Sequence, residues 1–452
     1  MSLLDRLARD LPPEALVTDA DVMAQYARDQ AGPCPAGAPA AVVIPRSVEH
    51  VALTLRLASE TRTPVVPRGA GTGLSGGANA IDGCVVLSLH ALDRVLSIDP
   101  ATRLATVEPG VLNATLDARA REHGLMYAPD PASREISTVG GNVATNAGGA
   151  CCLKYGVTGD HIARLRAVLA DGTEIQTGSA TVKNVAGLDL QRLLIGSEGT
   201  LAVVVEITAR LLPARPACGT LVAFFPSLQA AGEAIVALER PRALSKLEVM
   251  DRTTVRAVED LTRMELDTDA AAMILAQADT ADAAALMEQA ERLCVERGAT
   301  LAMTTLDEAE GKMLMAARSA ALPALEKKGH CLLDDVAVPV PRVPALLALC
   351  AEAAERRGVT VGTFGHAGDG NLHPTLVYDA RDPAESQAAL EAFDDILRGA
   401  LELGGTVTGE HGVGTLKRDY VERMVGKRER TLMHGIKQVF DPLGILNPGK
   451  AY

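Results

Sequence analysis

Apolar residues in this chain come in short bursts of four to eight, separated by turns rich in glycine, proline and aspartate, and interleaved with longer stretches of helical period. AAVVIP (40–45) predicts a strand, and SVEHVALTLRLASE (47–60) an amphipathic helix opened by Ser47. TPVVPRGAG predicts a strand running into a glycine loop, and GCVVLSL and LATVEPG two further strands, with a helix over 112–124. IARLRAVLADGTEIQTG (162–178) reads as a hairpin about an Asp-Gly turn, and GTLAVVVEITARLLP as a long buried strand ending at Pro213. After ARPACG (214–219), strands such as TLVAFFP, KLEVMD and AAMILAQAD mix with helices over 227–239, 284–298 and 307–327. A strand over 332–338, a helix over 341–357, a hairpin about 369–370 and a helix over 383–403 complete this part.

These breaks predict an N-terminal helical segment (1–37), a first domain (38–214), a second domain (215–404) and a C-terminal segment (405–452). At 452 residues, several domains are expected. Aromatic residues are only 2% of the chain, so the cores must be built from Ala, Val and Leu. A net charge of −13 without a Lys/Arg run argues against a nucleic-acid surface. The eight cysteines follow no metal, cluster or disulfide spacing and read as packed thiols of a reducing, cytoplasmic setting, Cys151 and Cys152 included. The N-terminus lacks the apolar region of a signal peptide, and no stretch is long enough to span a membrane.

Three loops carry candidate chemistry. PRGAGTGLSGGA (67–78) places five glycines after a strand, with Thr72 and Ser75 as hydroxyl donors. Such a loop can turn several backbone N–H groups onto one anion. It is neither a P-loop nor a G-x-G-x-x-G fingerprint. PDPASREISTVGGNVATNAGG (129–149) and GSEGTLAVV (196–204) repeat the glycine and small-polar pattern. Together they suit a long ligand with a diphosphate and a flat ring.

FGHAGDGNLHP (364–374) carries two histidines about an Asp-Gly pair. A two-residue turn at 369–370 would place His366 directly opposite His373, with Cβ atoms about 4.5–5.5 Å apart. The pair reads either as two histidines packed on a sheet or as half of a metal site. GEHG (409–412) offers Glu410 as a third ligand, with His411 pointing elsewhere if the segment is extended. Two histidines and a carboxylate with open positions suit a catalytic rather than a structural metal.

The three loops, in this order, resemble the flavin-binding domain of the vanillyl-alcohol oxidase / p-cresol methylhydroxylase (PCMH) superfamily, and within it the glycolate oxidase D-subunit / D-lactate dehydrogenase branch. The resemblance spans about 38–450. It implies an α+β fold: a two-subdomain PCMH-type FAD-binding domain plus an α+β substrate (cap) domain with an antiparallel sheet. It implies FAD, held non-covalently because no attachment motif occurs. Pro67, Arg68, Gly69, Ala70, Gly71, Thr72, Gly73, Leu74 and Ser75 would cradle the pyrophosphate. Pro129, Asp130, Ser137, Gly140, Gly141, Asn142, Thr145 and Gly148 would line the flavin ring and ribityl chain. Glu198, Gly199 and Val204 would meet the adenine and ribose side, and Asn447 the flavin edge, unless NPG is only a turn.

The same resemblance implies a divalent metal, zinc or manganese, on His366, His373 and Glu410, with His411 as base and Arg318 on the substrate carboxylate. Arg318 otherwise reads as a solvated helix arginine, and Asp335 either sets the metal site or ends a strand. Lys183 fits the family pattern without an assignable role, and Leu188 stands where the family often has Tyr. The implied reaction is oxidation of a D-2-hydroxy acid, lactate or glycolate, with hydride passing to flavin N5. Electrons would go on to a quinone, a cytochrome, an electron-transfer flavoprotein or an iron–sulfur partner subunit, which could hold the chain at a membrane surface. A D-2-hydroxyglutarate dehydrogenase would need a second cation, and 329–335 (GHCLLDD) offers none. A metal hydrolase and a non-redox flavoprotein are the other classes left standing, and a homodimer stays open.

Overall fold

The computed structural model describes residues 2–240 and 243–452. The chain forms two compact units. The first holds the residues up to Gly148, Val157–Ala214 and Glu410–Tyr452; the second holds Gly149–Gly156 and Arg215–Gly409. The passage between Ala214 and Arg215 lies within ARPACG. The first 37 residues, expected as a helical segment of their own, belong to the first unit. Leu3, Leu7 and Leu11 share one core with Val51, Leu55 and Val85. Residues 405–409, expected with the C-terminal segment, stay with the second unit.

The first unit contains a two-stranded sheet, Leu125–Met126 with Leu212–Pro213, and two larger ones. In one, strands Ala41–Val43, Val85–Ser88 and Val65–Arg68 run parallel, with Leu16–Val17 antiparallel at the edge. These strands are valine-rich and almost wholly buried, as parallel strands covered on both faces must be. Helix Val48–Thr61 connects two of them, and Ser47 Oγ accepts the His50 N–H at its start. The other sheet is antiparallel, ordered Val95–Asp99, Leu104–Val107, Val203–Arg210, Ile162–Val168 and Glu174–Gly178. Its inner face packs on helices Asn113–Arg121 and Val139–Thr145 through Leu116, Ala120, Val139 and Val143.

The second unit is built on one antiparallel sheet. Its spatial order is Leu301–Thr305, Gly219–Phe225, Ala272–Ala278, Lys246–Asp251, Thr360–His366, Asn371–Tyr378 and His330–Leu333, with Val336–Ala337 also pairing to Asn371–Tyr378. A helix that the periodicity does not bring out, Arg252–Thr262, starts at Asp251, whose side chain accepts the Thr254 N–H. The single helix expected over 307–327 is two, Glu308–Ser319 and Ala321–Glu326. Pro323 explains the break, because its ring would meet the carbonyl of Ser319 four residues back in a continuous helix. The strand expected over 332–338 is interrupted at Asp334–Asp335.

Candidate functional site

In the first unit the three small-residue loops converge. A Cβ added at Gly69 would meet Thr138 Oγ1 at 2.5 Å and the Gly141 Cα at 3.5 Å, so the first loop lies against the second. One added at Gly199 would meet Pro67 Cγ at 3.0 Å, so the third lies against the strand end that feeds the first. Gly71 has φ of +75°, and any side chain there would run into the Arg68 guanidinium. The N-terminal segment closes the loop from outside, with Gln30 N–H on the Gly73 carbonyl at 2.9 Å and Asp29 Oδ2 accepting the Ala78 N–H at 3.3 Å.

The C-terminal stretch stitches these loops together. Glu198, left-handed at φ +51°, is the hub: its carboxylate accepts the N–H groups of Val413 (2.7 Å) and Gly414 (2.8 Å). Burial pushes its pKa up, against the lowering by those two N–H groups. Ser75 Oγ donates to the carbonyls of His411 and Gly412. Asn447 Nδ2 donates to the carbonyls of Gly77 (3.0 Å) and Glu198 (2.7 Å), and Lys450 Nζ to those of Gly77 and Asn79. The side chains of Ser75, Glu198 and Asn447 thus hold backbone, and Val204, half-buried, packs against the core of the antiparallel sheet. Lys450, 3% exposed, is a part of this knot that its place in a C-terminal NPGK turn does not reveal.

Several buried polar atoms in the same region have no protein partner among the described residues. Arg68 Nη1, Ser137 Oγ, Asn142 Nδ2 and Asn447 Oδ1 are shielded from solvent with no hydrogen-bond partner among the described residues. Burial also lowers the Arg68 pKa, with Asp29 and Tyr26 opposing. Such orphaned groups are costly unless a bound molecule satisfies them. A cationic donor, a hydroxyl and an amide beside a glycine cradle fit a polar, anionic, elongated molecule such as FAD. Pro129 is buried beside Ala128, Asp130 is half-buried, and Thr145 Oγ1 donates to the Gly141 carbonyl. Lys183 and Leu188 lie on an exposed stretch.

In the second unit the histidine hairpin has a different register from the expected one. Its loop is Ala367–Gly368–Asp369–Gly370, four residues rather than two, so that His366 faces Asn371 and Phe364 faces His373. Two contacts fix the longer loop: Gly368 N–H bonds to the Leu247 carbonyl, and Val338 N–H to the Gly370 carbonyl. Gly370 sits at φ +82°, and a side chain there would strike the Val338 carbonyl. The register differs from a two-residue turn by two residues, so no side chain changes face. His366 and His373 therefore still meet, on the diagonal, with ring centroids 5.3 Å apart and planes at 88°. They are 7% and 4% exposed.

Each imidazole has a buried carboxylate beside it. Glu248, directly across the neighbouring strand from His366, places Oε1 2.7 Å from His366 Nδ1. Its Oε2 accepts from Arg318 Nε at 2.6 Å, and the Arg318 guanidinium lies 4.7 Å over the Phe364 ring. Burial raises the Glu248 pKa, but His366 and Arg318 outweigh it and the net shift is downward. Asp335 Oδ1 lies 3.6 Å from His373 Nδ1 and accepts from Asn371 Nδ2 at 2.7 Å. Its Oδ2 accepts from Thr408 Oγ1 (2.6 Å) and Gly409 N–H (2.9 Å). Asp335 thus both ends a strand and pins the segment that leads to Glu410.

Glu410 and His411 belong to the first unit, whereas His366, His373 and Arg318 belong to the second. The 409–411 stretch is bent rather than extended, and His411 Nε2 comes 3.8 Å from Glu410 Oε1 instead of pointing away. Glu248 is the residue that the pattern of the chain hides. In KLEVMD an acid alternating with Leu and Val looks like the wet face of a half-buried strand, yet Glu248 is 1% exposed. The cysteines form no disulfide among the described residues, and no helix there is long and apolar enough to cross a membrane.

The family model of FAD linked oxidases, C-terminal domain, matches residues 216–451, and that of the FAD binding domain matches 39–178. The glycolate oxidase subunit GlcD of Bacillus subtilis is 40% identical over 420 residues, covering 92% of this chain and 89% of its own. A D-lactate dehydrogenase of Anaerostipes hadrus is 33% identical over 458 residues, covering 98% and 95%. The crystal structure of p-cresol methylhydroxylase with substrate bound superposes with a TM-score of 0.82 at 18% identity, over 99% of this chain and 96% of that one, a likeness of fold.

Proposed function

The chain belongs to the FAD-linked oxidases and is an FAD-linked oxidoreductase of the hydroxy-acid dehydrogenase type; from its site chemistry we propose that it oxidises a small D-2-hydroxy acid, of the lactate or glycolate class, with help from a divalent metal. The observation that carries this reading is the cluster of two adjoining buried imidazoles on one sheet, His366 and His373, with the guanidinium of Arg318 brought beside them from a helix. Among the described residues the two terminal nitrogens of Arg318 have no hydrogen-bond acceptor, which suits a bidentate carboxylate. Two imidazoles alongside suit a zinc- or manganese-class ion.

Arg318 would hold the substrate carboxylate. His366 and His373 would hold the metal, with Glu410 as third ligand on the sequence reading. His411 would take the hydroxyl proton as a neutral base. When bound, the metal lowers the pKa of the coordinated hydroxyl. When bound, FAD supplies the two-electron acceptor. Arg68, Ser137, Asn142 and the glycine loops would hold it, with Glu198, Asn447 and Lys450 keeping those loops in place.

D-2-hydroxyglutarate would need a further cation for its distal carboxylate, and strand His330–Leu333 supplies no Lys or Arg. Electrons would leave to an external acceptor: a quinone, a cytochrome, a flavoprotein carrier or an iron–sulfur partner subunit. The test is dye reduction with a panel of D- and L-2-hydroxy acids. Turnover confined to small D-acids and glycolate supports the reading; turnover of none of them removes it.

A further inference from the structure

Glu248 lies in strand Lys246–Asp251, paired to strand Thr360–His366 in the register Glu248↔His366, Val249↔Gly365 and Met250↔Phe364. It faces His366 across the sheet, and the last turn of helix Glu308–Ser319 brings Arg318 to its other oxygen. One carboxylate therefore engages the inner nitrogen of two functional side chains, Nδ1 of the imidazole and Nε of the guanidinium.

The geometry has a chemical consequence. A carboxylate paired with a guanidinium has no hydrogen to give, so the hydrogen of the Glu248–His366 contact belongs to Nδ1. The lone pair of the neutral ring then sits on Nε2, which decides the nitrogen that can bind a metal. With Nε occupied, the recognition edge of Arg318 is its terminal nitrogen pair. Its Phe364 platform lies on the same hairpin as His366 and faces His373.

We propose that Glu248 is a positioning residue that orients His366 for metal binding and Arg318 for carboxylate binding at once, coupling the two. The proposal rests on the functional reading above.

The test compares wild type, Glu248→Gln and Glu248→Ala as FAD-loaded, full-length proteins. Zinc affinity after chelator treatment is measured by competition with a chromogenic chelator, and KM and kcat are measured with D-lactate. Glu248→Gln keeps the shape but presents an amide NH2 to one of two donors. It is expected to weaken zinc binding by about 10- to 100-fold and to raise KM for D-lactate, with FAD content unchanged. Glu248→Ala is expected to do both more strongly. A purely structural role would lower the melting temperature and the active fraction while leaving zinc affinity and KM as in wild type, and that result overturns the proposal.

A second measurement needs no variant at this position. The ring ¹⁵N spectrum of metal-free wild type, assigned by comparison with His366→Gln, should show a pyrrole-type Nδ1 and a pyridine-type Nε2 for His366. The reverse tautomer overturns the proposal even if the variants fail to fold. A wild type that neither binds zinc nor oxidises any hydroxy acid removes the functional reading instead, and the tautomer still judges the hold of Glu248 on His366.

Discussion

His373 faces Phe364 across the hairpin and meets His366 only on the diagonal, at 5.3 Å between ring centroids. The four-residue loop therefore sets the diagonal geometry of the pair, while the shared face of the two strands keeps the imidazoles together. His366→Ala and His373→Ala are each expected to lower hydroxy-acid turnover by at least about a hundredfold, since a Lewis acid lowers the barrier by several kcal/mol. Flavin content per chain, read from the visible spectrum, should not change. Wild-type turnover in either variant would detach the hairpin from the chemistry.

His411 should separate proton abstraction from cofactor binding. Its ring is assigned the proton transfer, whereas its carbonyl accepts from Ser75 Oγ and survives substitution. His411→Ala should retain FAD and lose roughly 10²- to 10⁴-fold in the rate of flavin reduction by substrate. Rapid-mixing absorbance under anaerobic conditions measures this step directly.

Gly71 tests the cradle. Its φ of +75° strains any side chain, and one placed there would have to displace the Arg68 guanidinium. Gly71→Val should yield a folded but largely colourless protein, with the flavin-to-protein ratio after gel filtration as the readout. A fully yellow variant would show that this loop does not shape the cofactor site.

Asp251 makes a pH prediction. It is buried and caps helix Arg252–Thr262, and its carboxylate also accepts the Thr363 N–H. Burial raises its pKa from 3.8 to about 6, its backbone hydrogen bonds opposing. The folded state thus holds this proton more tightly than the unfolded state. The associated stability is fully present below about pH 3.8 and is lost as pH rises through about 6. Asp251→Asn should lack that slope. Subtracting its melting temperature from that of wild type should give a difference that falls between pH 4 and pH 6.5 (both about, following the shift) and is flat above. A difference independent of pH would contradict the assignment.

Asp279, with a fully buried side chain, receives Lys154 Nζ at 2.5 Å and Tyr155 OH at 2.7 Å. It fastens the short segment that follows the second glycine loop to the sheet of the second unit. Asp279→Ala strands the partners of a buried carboxylate and should cost about 3–5 kcal/mol, seen as a lower denaturation midpoint. A change below about 0.5 kcal/mol, the range of ordinary surface substitutions, would mean the anchor carries no energy.

What the chain reveals by itself follows from how local each signal is. Glycines at 69, 71, 73, 140 and 141 announce a cradle because their conformational freedom is a property of single residues. The knot that holds the cradle, Glu198 on Val413 and Gly414, joins positions more than 200 residues apart, and no local pattern encodes it. The Asp-Gly pair at 369–370 correctly marks a hairpin. Its register is set from outside, by Leu247 and Val338 receiving the loop and Asp335 holding Asn371. Glu248 was hidden for a related reason: alternation shows which strand positions share a face, but Arg318 covering that face comes from a distant helix.

Metal-assisted hydride removal from a small D-2-hydroxy acid is checked by anaerobic addition of D-lactate or glycolate to the purified yellow protein. The experiment is done as isolated, after chelator treatment, and after return of zinc or manganese. The expected result is rapid bleaching of the flavin, arrested by the chelator and restored by the metal. Bleaching that is indifferent to the chelator would contradict the metal's part, and no bleaching by either acid would contradict the assigned reaction.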